Sequence, residues 1–532
     1  MELKPLALCT TASLLAVCSA ANADGWQIYG SRALGMGGAY TAVARGPIAQ
    51  YWNPAGMADT FENTSGLEIP VNAHIEATGT VMNDASQLKN LVDQYKSLQS
   101  AQQGGGKVNV SQISTMMQSL VTLSDMDKPG QGVVANGAAG LTLKVKKFMI
   151  GVNNYADLSG DPYIDLTNIS LSGTGGSGVQ LQPGTPVNQT DQNSANAIAT
   201  AITNSGGVTN IMKLICGSGS CNGISTSQGL ANALVSYAET QNLSQNQIAS
   251  AANQIVSNAA QAQAIIAAAI ANGGLTKTAS AGAGVGTSSA GTWDNNQSSL
   301  KIRGGLFTDM AMGYATQVGP EGLYIGGNVK VIRGQMGYTN VQVLSTSDQS
   351  NAMSKFLDNS STSIKPGVDL GALYEMHGAS HPRFGIVARN INNPGFNTPV
   401  PSQQAGYPAY YNLNPQSRFG FAFNPTHWWT LASDIDVTNN RTILDGYHSR
   451  LVSVGSEFNV VNSTWFNIPL RVGYYKNIAE SGSDGAITAG TGLDLLAMHF
   501  EISGARSTKT TMINGSNIPT DAEAAFTFSV LF

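Results

Sequence analysis

The chain has 532 residues and a formal net charge of -5, and charged residues make up 11% of it, against about 25% in an average soluble domain. Glycine is abundant, at 60 residues, and the mean hydropathy is near neutral at -0.05. This balance excludes a nucleic-acid binder built on a basic face. It suits a surface that partly faces lipid without long apolar helices.

The first 23 residues read as a secretory signal peptide. Lys4 supplies the basic start, residues 6–20 the apolar stretch, and Ala21-Asn22-Ala23 the cleavage site, so the mature chain is expected to begin at Asp24. Lipidation at Cys18 is the alternative, and Val17 is a poor residue to precede a lipidated cysteine. After the leader no run approaches the roughly 20 apolar residues of a membrane helix. The nearest, residues 263–271, is far shorter. A membrane location is then reached through a closed barrel, which pairs every backbone group without water.

Residues 24–62 carry a glycine-rich run, Gly35-Met36-Gly37-Gly38-Ala39, followed by Tyr51-Trp52-Asn53-Pro54-Ala55-Gly56. Glycine permits positive φ and close backbone approach, Pro54 fixes a turn, and Asn53 is able to satisfy local backbone groups.

From residue 63 to the end the chain reads as an all-β barrel of about fourteen antiparallel strands, starting near residues 66, 134, 148, 301, 322, 364, 383, 416, 427, 449, 468, 486, 498 and 523. Several show period-two alternation, such as Val368, Leu370, Ala372 and Tyr374 against Asp369 and Glu375. Every second connection is tight: Lys144–Lys147, Gln317–Gly322, His377–Pro382, Asn424–Thr426, Val460–Asn467 and Leu495–Ala497. Short turns on one rim and long loops on the other are the pattern of an outer-membrane barrel. In the last strand Phe526, Phe528 and Val530 share a face and the chain ends on Phe532, which resembles the outer-membrane assembly signal and implies the assembly machinery as a partner. Arg303, Lys330, Arg389, Arg471 and Arg506, with Asp434 and Asp436, are expected to face a polar lumen.

Two insertions interrupt the ladder. Residues 83–133 carry two helical stripes, Leu88, Leu91, Val92, Tyr95 and Leu98, then Ile113, Met116, Met117, Leu120 and Val121. The stripes either bury each other as a hairpin or form an apolar groove that captures a hydrophobic ligand, a use that suits the Met116/Met117 pair. Residues 156–300 form the larger insertion, rich in Ala, Gln, Asn, Gly and Ser, with a helical middle at about 226–272 and a capping box at Ser244 and Gln247. It is a lid, a protein-partner surface or a decoration. Within it Cys216 and Cys221 read as a short-loop disulfide in an oxidising compartment.

No G-x-S-x-G elbow, P-loop or H-E-x-x-H is present, so an enzyme is not expected, nor a cofactor. Glu375, His377 and His381 are weighed as metal ligands and Asp434 with Asp436 as calcium ligands. Solvated turn histidines and lumen polarity are preferred, and no metal is assigned.

Residues 31–58, SRALGMGGAYTAVARGPIAQYWNPAGMA, resemble the N-terminal signature of the FadL-like superfamily of outer-membrane proteins. KPGVDLGALYE at 365–375 and RFGIVARNINNPGF at 383–396 look closest to its TraF-like, conjugal-transfer group. The resemblance implies that Gly35, Met36, Gly37, Gly38, Asn53, Pro54, Ala55 and Gly56 belong to a plug inside the barrel. It covers the plug and strands, and the large insertion lies beyond it. Family members often carry acidic residues between the two motif halves, where this chain has Ala44-Arg45-Gly46-Pro47. The implied function is a channel in the outer membrane for passive uptake of hydrophobic small molecules, of fatty-acid or aromatic type. The alternative is a non-transporting barrel for assembly, secretion or conjugal transfer, with residues 156–300 as its partner surface.

Overall fold

The computed structural model describes residues 23–58, 65–82, 126–164, 181–205, 208, 212, 222–240, 242–253, 255–256, 297–319, 321–342, 352–378, 380–463, 465–513 and 516–532. Fourteen strands close into one antiparallel barrel. They are β1 (Gly66–Thr78), β2 (Gly132–Val145), β3 (Phe148–Tyr163), β4 (Ser299–Gln317), β5 (Leu323–Gln342), β6 (Ser360–Glu375), β7 (Arg383–Arg389), β8 (Gln416–Thr426), β9 (Trp429–Asp436), β10 (Leu451–Asn462), β11 (Phe466–Asn477), β12 (Ala486–Leu495), β13 (Met498–Ser507) and β14 (Asp521–Leu531). Closure is by β1 on β14, with Gly66 opposite Leu531 and Glu76 opposite Asp521.

The two faces of the wall have opposite chemistry. Ile150, Met312, Val329, Ile364, Val472, Ile502 and Phe526 are exposed on the outside, whereas Asn72, Asn153, Asp309, Asn328, Asp369, Thr488 and Thr527 are buried within. Apolar out and polar in is the reverse of a soluble barrel and the pattern of one that faces lipid.

The tight turns lie on one rim, and two of them, 146–147 and 496–497, turn through a non-glycine residue at positive φ, Lys146 at 55° and Leu496 at 55°. Two sequence expectations are corrected here. The turn placed at Asn424–Thr426 lies inside β8, which carries an irregularity between Phe423 and Thr426, and the chain reverses at His427–Trp428. Arg506 faces outward, because the inward parity of β13 is carried by Ser503, Ala505 and Ser507.

Strand β3 runs to Tyr163, so residues 156–163 belong to the wall and the larger insertion begins after them. Its described part contains α-helices Gln189–Ser205 and Ser227–Thr240, which bury Ile198, Ile202, Leu230 and Leu234 between them. The first of these was not expected from the sequence. A further helix follows the Ser244/Gln247 capping box, in which Ser244 N donates to Gln247 Oε1 at 2.9 Å and Gln247 N to Ser244 Oγ at 3.4 Å. Residues 1–22 of the leader, Cys216 and Cys221, and the stripe of Leu88, Leu91, Val92, Tyr95, Met116, Met117 and Leu120 lie outside the described residues.

The N-terminal segment threads the barrel. Ala23–Asp24 pairs in parallel with Asn440–Arg441, in the loop between β9 and β10 on the long-loop rim. The chain then descends through the lumen, nearly all of it buried to residue 58, and returns to the wall at Gly66 on the tight-turn rim. It contacts β4, β5 and β6 on one side and β11, β12, β13 and β14 on the other.

Candidate functional site

The plug is organised around five aromatic rings. Trp26 lies 6.2 Å from Tyr51 and 6.1 Å from Trp52, Tyr29 lies 5.0 Å from Tyr51, and Tyr40 lies 5.7 Å from Trp52. Trp52 Nε1 donates to Tyr29 O at 2.8 Å and Tyr51 Oη to Gln27 O at 2.6 Å. Two wall guanidinium groups share the Trp26 ring: Arg389 at 4.9 Å and Arg418 at 4.6 Å from its centroid. Arg418 is fully buried and pairs with Asp436 at 2.6 Å. A buried cation over an indole face contributes about 2 kcal/mol, so these arginines tie plug to wall.

Both halves of the glycine-rich signature rest on paired glycines of the wall. Short helix α1 (Ser31–Gly35) ends in a turn through Gly37 and Gly38 at φ 66° and 81°. A Cβ on Gly37 would lie 2.7 Å from Tyr474 N. Beneath it Gly455 and Gly473 face each other across β10 and β11. A Cβ there would lie 2.7 Å from Met36 Cβ and 2.5 Å from Met36 C, respectively. The second half sits on Gly326 and Gly371, opposed across β5 and β6, where a Cβ would come within 2.7 Å of Ala55 N and 2.9 Å of Pro54 Cδ. A third pair, Gly385 and Gly420 of β7 and β8, underlies Thr41, at 2.7 Å from its carbonyl oxygen and 2.9 Å from its Cβ. Glycine in a strand marks close backbone approach, and here three cross-strand pairs make three flat seats.

Side chains fix what the glycines admit. Asn53 Nδ2 donates to Thr41 O at 3.2 Å and to Ala372 O of β6 at 3.0 Å, while its Oδ1 accepts from Ala55 N at 3.1 Å. Asp434 accepts from Tyr40 N and Thr41 N at 3.1 and 2.9 Å. Thr488 Oγ1 donates to Gly35 O at 3.0 Å and Ser503 Oγ to Ser31 O at 2.6 Å. Arg32 binds Glu457 through both Nε and Nη2 at 2.8 and 2.7 Å, and Glu457 also takes Arg471 at 2.6 Å. The carboxylates weighed as metal ligands also face charged or amide partners. Glu375 pairs with Arg383 at 3.2 Å and with Arg45 of the plug at 3.7 Å, and His377 pairs with exposed Glu321 at 3.5 Å. Among the described residues no three His, Cys, Asp or Glu side chains are grouped to hold a metal ion. Arg45, which stands where the family often has acidic residues, is therefore matched by an acid on the wall.

The plug leaves space at both ends. On the tight-turn side a space open to solvent is lined by Arg32, Arg45 and Arg471 together with Glu68, Glu457 and Glu501. On the long-loop side a space open to solvent lies beneath Tyr447 and Asp484, against Trp26, Ile28, Val134 and Leu451, and is lined by His74, Glu76, Asp157, Asp521 and Glu523. Next to it the loop residues Phe396, Leu413 and Ile443 pack on Phe307, Ile332 and Met336 of β4 and β5 and cover that side of the mouth. In the loops, burial first and then Glu76 push the Tyr447 phenol well up, and burial with Asp161 does the same to Tyr407. Both stay hydroxyl donors, Tyr447 to Glu76 at 2.6 Å and Tyr407 to Asp161 at 3.0 Å.

The wall glycines and the cavity carboxylates were not singled out in the sequence. The available signal for the glycines is their recurrence at inward positions of β5, β6, β7, β8, β10 and β11.

The fold is similar to three solved structures: the Pseudomonas putida toluene transporter TodX (10% identity, 96% of this chain and 98% of that one, TM-score 0.38), the Ralstonia pickettii toluene transporter TbuX (8%, 96% and 99%, 0.39) and a Pseudomonas aeruginosa FadL homologue (9%, 96% and 99%, 0.37). Comparison with curated protein sequences gives no match. The sequence matches the family model described as F plasmid transfer operon, TraF, protein over residues 50–436, from within the plug to the end of β9, and the chain belongs to that family.

Proposed function

We propose that the chain is a gated channel of the outer membrane that admits small molecules with an apolar body, its gate being residues 25–58. The observation that carries this is the seating of the plug. It meets the wall backbone-to-backbone on three glycine pairs, flat contacts along which small displacements open a path. The apolar outer face is the reason for a membrane location. Ile28, Val134 and Leu451 beneath the long loops are the apolar part of the entrance.

The test is entry of an apolar fluorescent dye, N-phenylnaphthylamine, into Gram-negative cells expressing the protein. Ser31 Oγ of the plug and Ser503 Oγ of β13 are 2.8 Å apart, so Ser31→Cys with Ser503→Cys sets two thiols within disulfide reach. Entry several-fold above vector cells, blocked in the oxidised double variant and restored by reductant, is the expected result. Entry equal to vector cells overturns the reading.

A second reading is a non-transporting barrel that docks a protein of a secretion or conjugation apparatus. It is favoured by a ladder of exposed amides on the insertion helices, where Gln192 donates to Asn196 at 3.2 Å and Gln228 to Asn196 and Asn232 at 3.1 and 2.9 Å. No dye entry together with a crosslinked complex lost on removing residues 189–240 selects it.

A further inference from the structure

We infer that the loop-end cavity recognises an organic cation: a molecule with an apolar body and an ammonium head. This rests on the channel reading and names the class of its ligand.

The cavity walls carry five carboxylates, Glu76, Asp157, Asp484, Asp521 and Glu523, and no lysine or arginine. Its one base is His74. Its Nε2 faces Asp521 Oδ1 at 3.1 Å and its Nδ1 faces Asn136 Oδ1 at 3.0 Å. Asn136 is oriented by donating through Nδ2 to Asp157 at 2.7 Å. Two oxygen acceptors on two ring nitrogens are the setting of an imidazolium, whose charge offsets Asp521. Lys509, outside the cavity, reaches Asp484 at 2.7 Å. The remaining acids have neutral hydrogen-bond donors: Tyr447 Oη on Glu76 at 2.6 Å, Asn136 on Asp157, and Asn72 on Glu523 at 3.3 Å.

Glu523 is the second observation. It is only 8% exposed, its Oε1 takes the Asn72 amide, and its Oε2 has no hydrogen-bond donor among the described residues. Oε2 of half-buried Glu76 likewise has no hydrogen-bond donor among the described residues. A carboxylate oxygen that faces the space without a protein donor is an acceptor left for a ligand, and an ammonium group brings three donors and a positive charge. The carboxylates surround the space without grouping as metal ligands among the described residues, which favours an organic head over a metal ion. Ile28, Val134 and Leu451, with the rings of Tyr447 and Tyr475, face the same space and accept an apolar body. A fatty-acid carboxylate meets like charge there. The cavity at the other end, lined by both signs, has no such bias.

The experiment is a fluorescence or calorimetric titration of the full-length barrel in detergent with three ligands of one body: 4-phenylbutylammonium, 4-phenylbutanol and 4-phenylbutyrate. The ammonium is expected to bind at least about tenfold tighter than the carboxylate, the loss associated with one charge-assisted hydrogen bond, with the alcohol between. Glu76→Gln with Glu523→Gln is expected to bring the ammonium down to the level of the alcohol. Folding of each variant is checked by heat-modifiable gel mobility. If that pair does not fold, Asp484→Asn in the exposed loop is expected to weaken the ammonium about threefold, the worth of a partly screened charge. Carboxylate binding equal to or tighter than ammonium overturns the inference and leaves the channel reading standing. Stoichiometric calcium that displaces the ammonium overturns it in favour of a metal site. No binding of any of the three overturns it as well, and dye entry then decides the channel reading alone.

Discussion

The two ends of the lumen obey different rules. Toward the tight-turn rim the charges of plug and wall meet counterparts: Arg32 and Arg471 on Glu457, and Arg45 on Glu375. The plug backbone there lies on wall glycines. Toward the loops Glu76 and Glu523 take neutral donors in place of cations, Tyr447 and Asn72. Matched charge stabilises, and unmatched charge is stability given up. The contrast separates the part of the lumen that holds the fold from the part open to a ligand.

Neutralising acids at the two ends should therefore change stability in opposite directions. Glu457→Gln removes the acid that Arg32 and Arg471 share and leaves Arg471, itself 3% exposed, with Glu501 alone, and losing such a charge-assisted hydrogen bond costs about 1.5–3 kcal/mol. A lower urea midpoint for unfolding in detergent is expected. A midpoint within error of the parent's would mean that plug charges are no better matched than those of the cavity. The seats come next. Gly326→Val drives a side chain into the Pro54–Ala55 backbone and is expected to cost about 1–3 kcal/mol by overpacking, with the plug made protease-sensitive. Gly482→Ala, which meets nothing within 4 Å, is the control. In the other direction Glu523→Gln is expected to raise stability by about 0.5–2 kcal/mol. A decrease as large as that of Glu457→Gln would erase the distinction between the ends.

Much of the wall was legible because lipid and lumen impose a strict period of two. Phe526 and Phe528 against Thr527 and Ser529 sufficed to orient β14. Parity failed at Arg506, where Gly504 and Ala505 carry too little polarity to keep count. Helix Gln189–Ser205 was missed because its Thr, Asn, Ser and Gln residues have low helix preference or hydropathy, and its apolar stripe is short: Ala195, Ile198, Ala199 and Ile202. The signature halves were visible as a resemblance, while their seats were not. Gly326 and Gly371 become a pair through register alone. The cavity is the extreme case. His74 and Glu76 on β1 meet Asp521 and Glu523 on β14 because the first and last strands close the barrel, and no local pattern announces that meeting.

The smallest expected effect sits at the cavity's edge. Lys509 is fully exposed, and its hydrogen bond to Asp484, more than their charge attraction, raises its pKa. With its cation exposed, such a pair is screened by salt and adds little to stability, so Lys509→Ala should leave the urea midpoint unchanged. If Asp484 belongs to the recognising ring, freeing it should strengthen 4-phenylbutylammonium binding about twofold at low salt, with the gain fading near 1 M as the Debye length falls to about 3 Å. Unchanged affinity at low salt would place Asp484 outside the ring and shrink the site to the acids of the barrel wall, Glu76, Asp157, Asp521 and Glu523. A gain that survives high salt would mean that Lys509 acts by occupying space, and the electrostatic account of the cavity's rim would have to be replaced by a steric one.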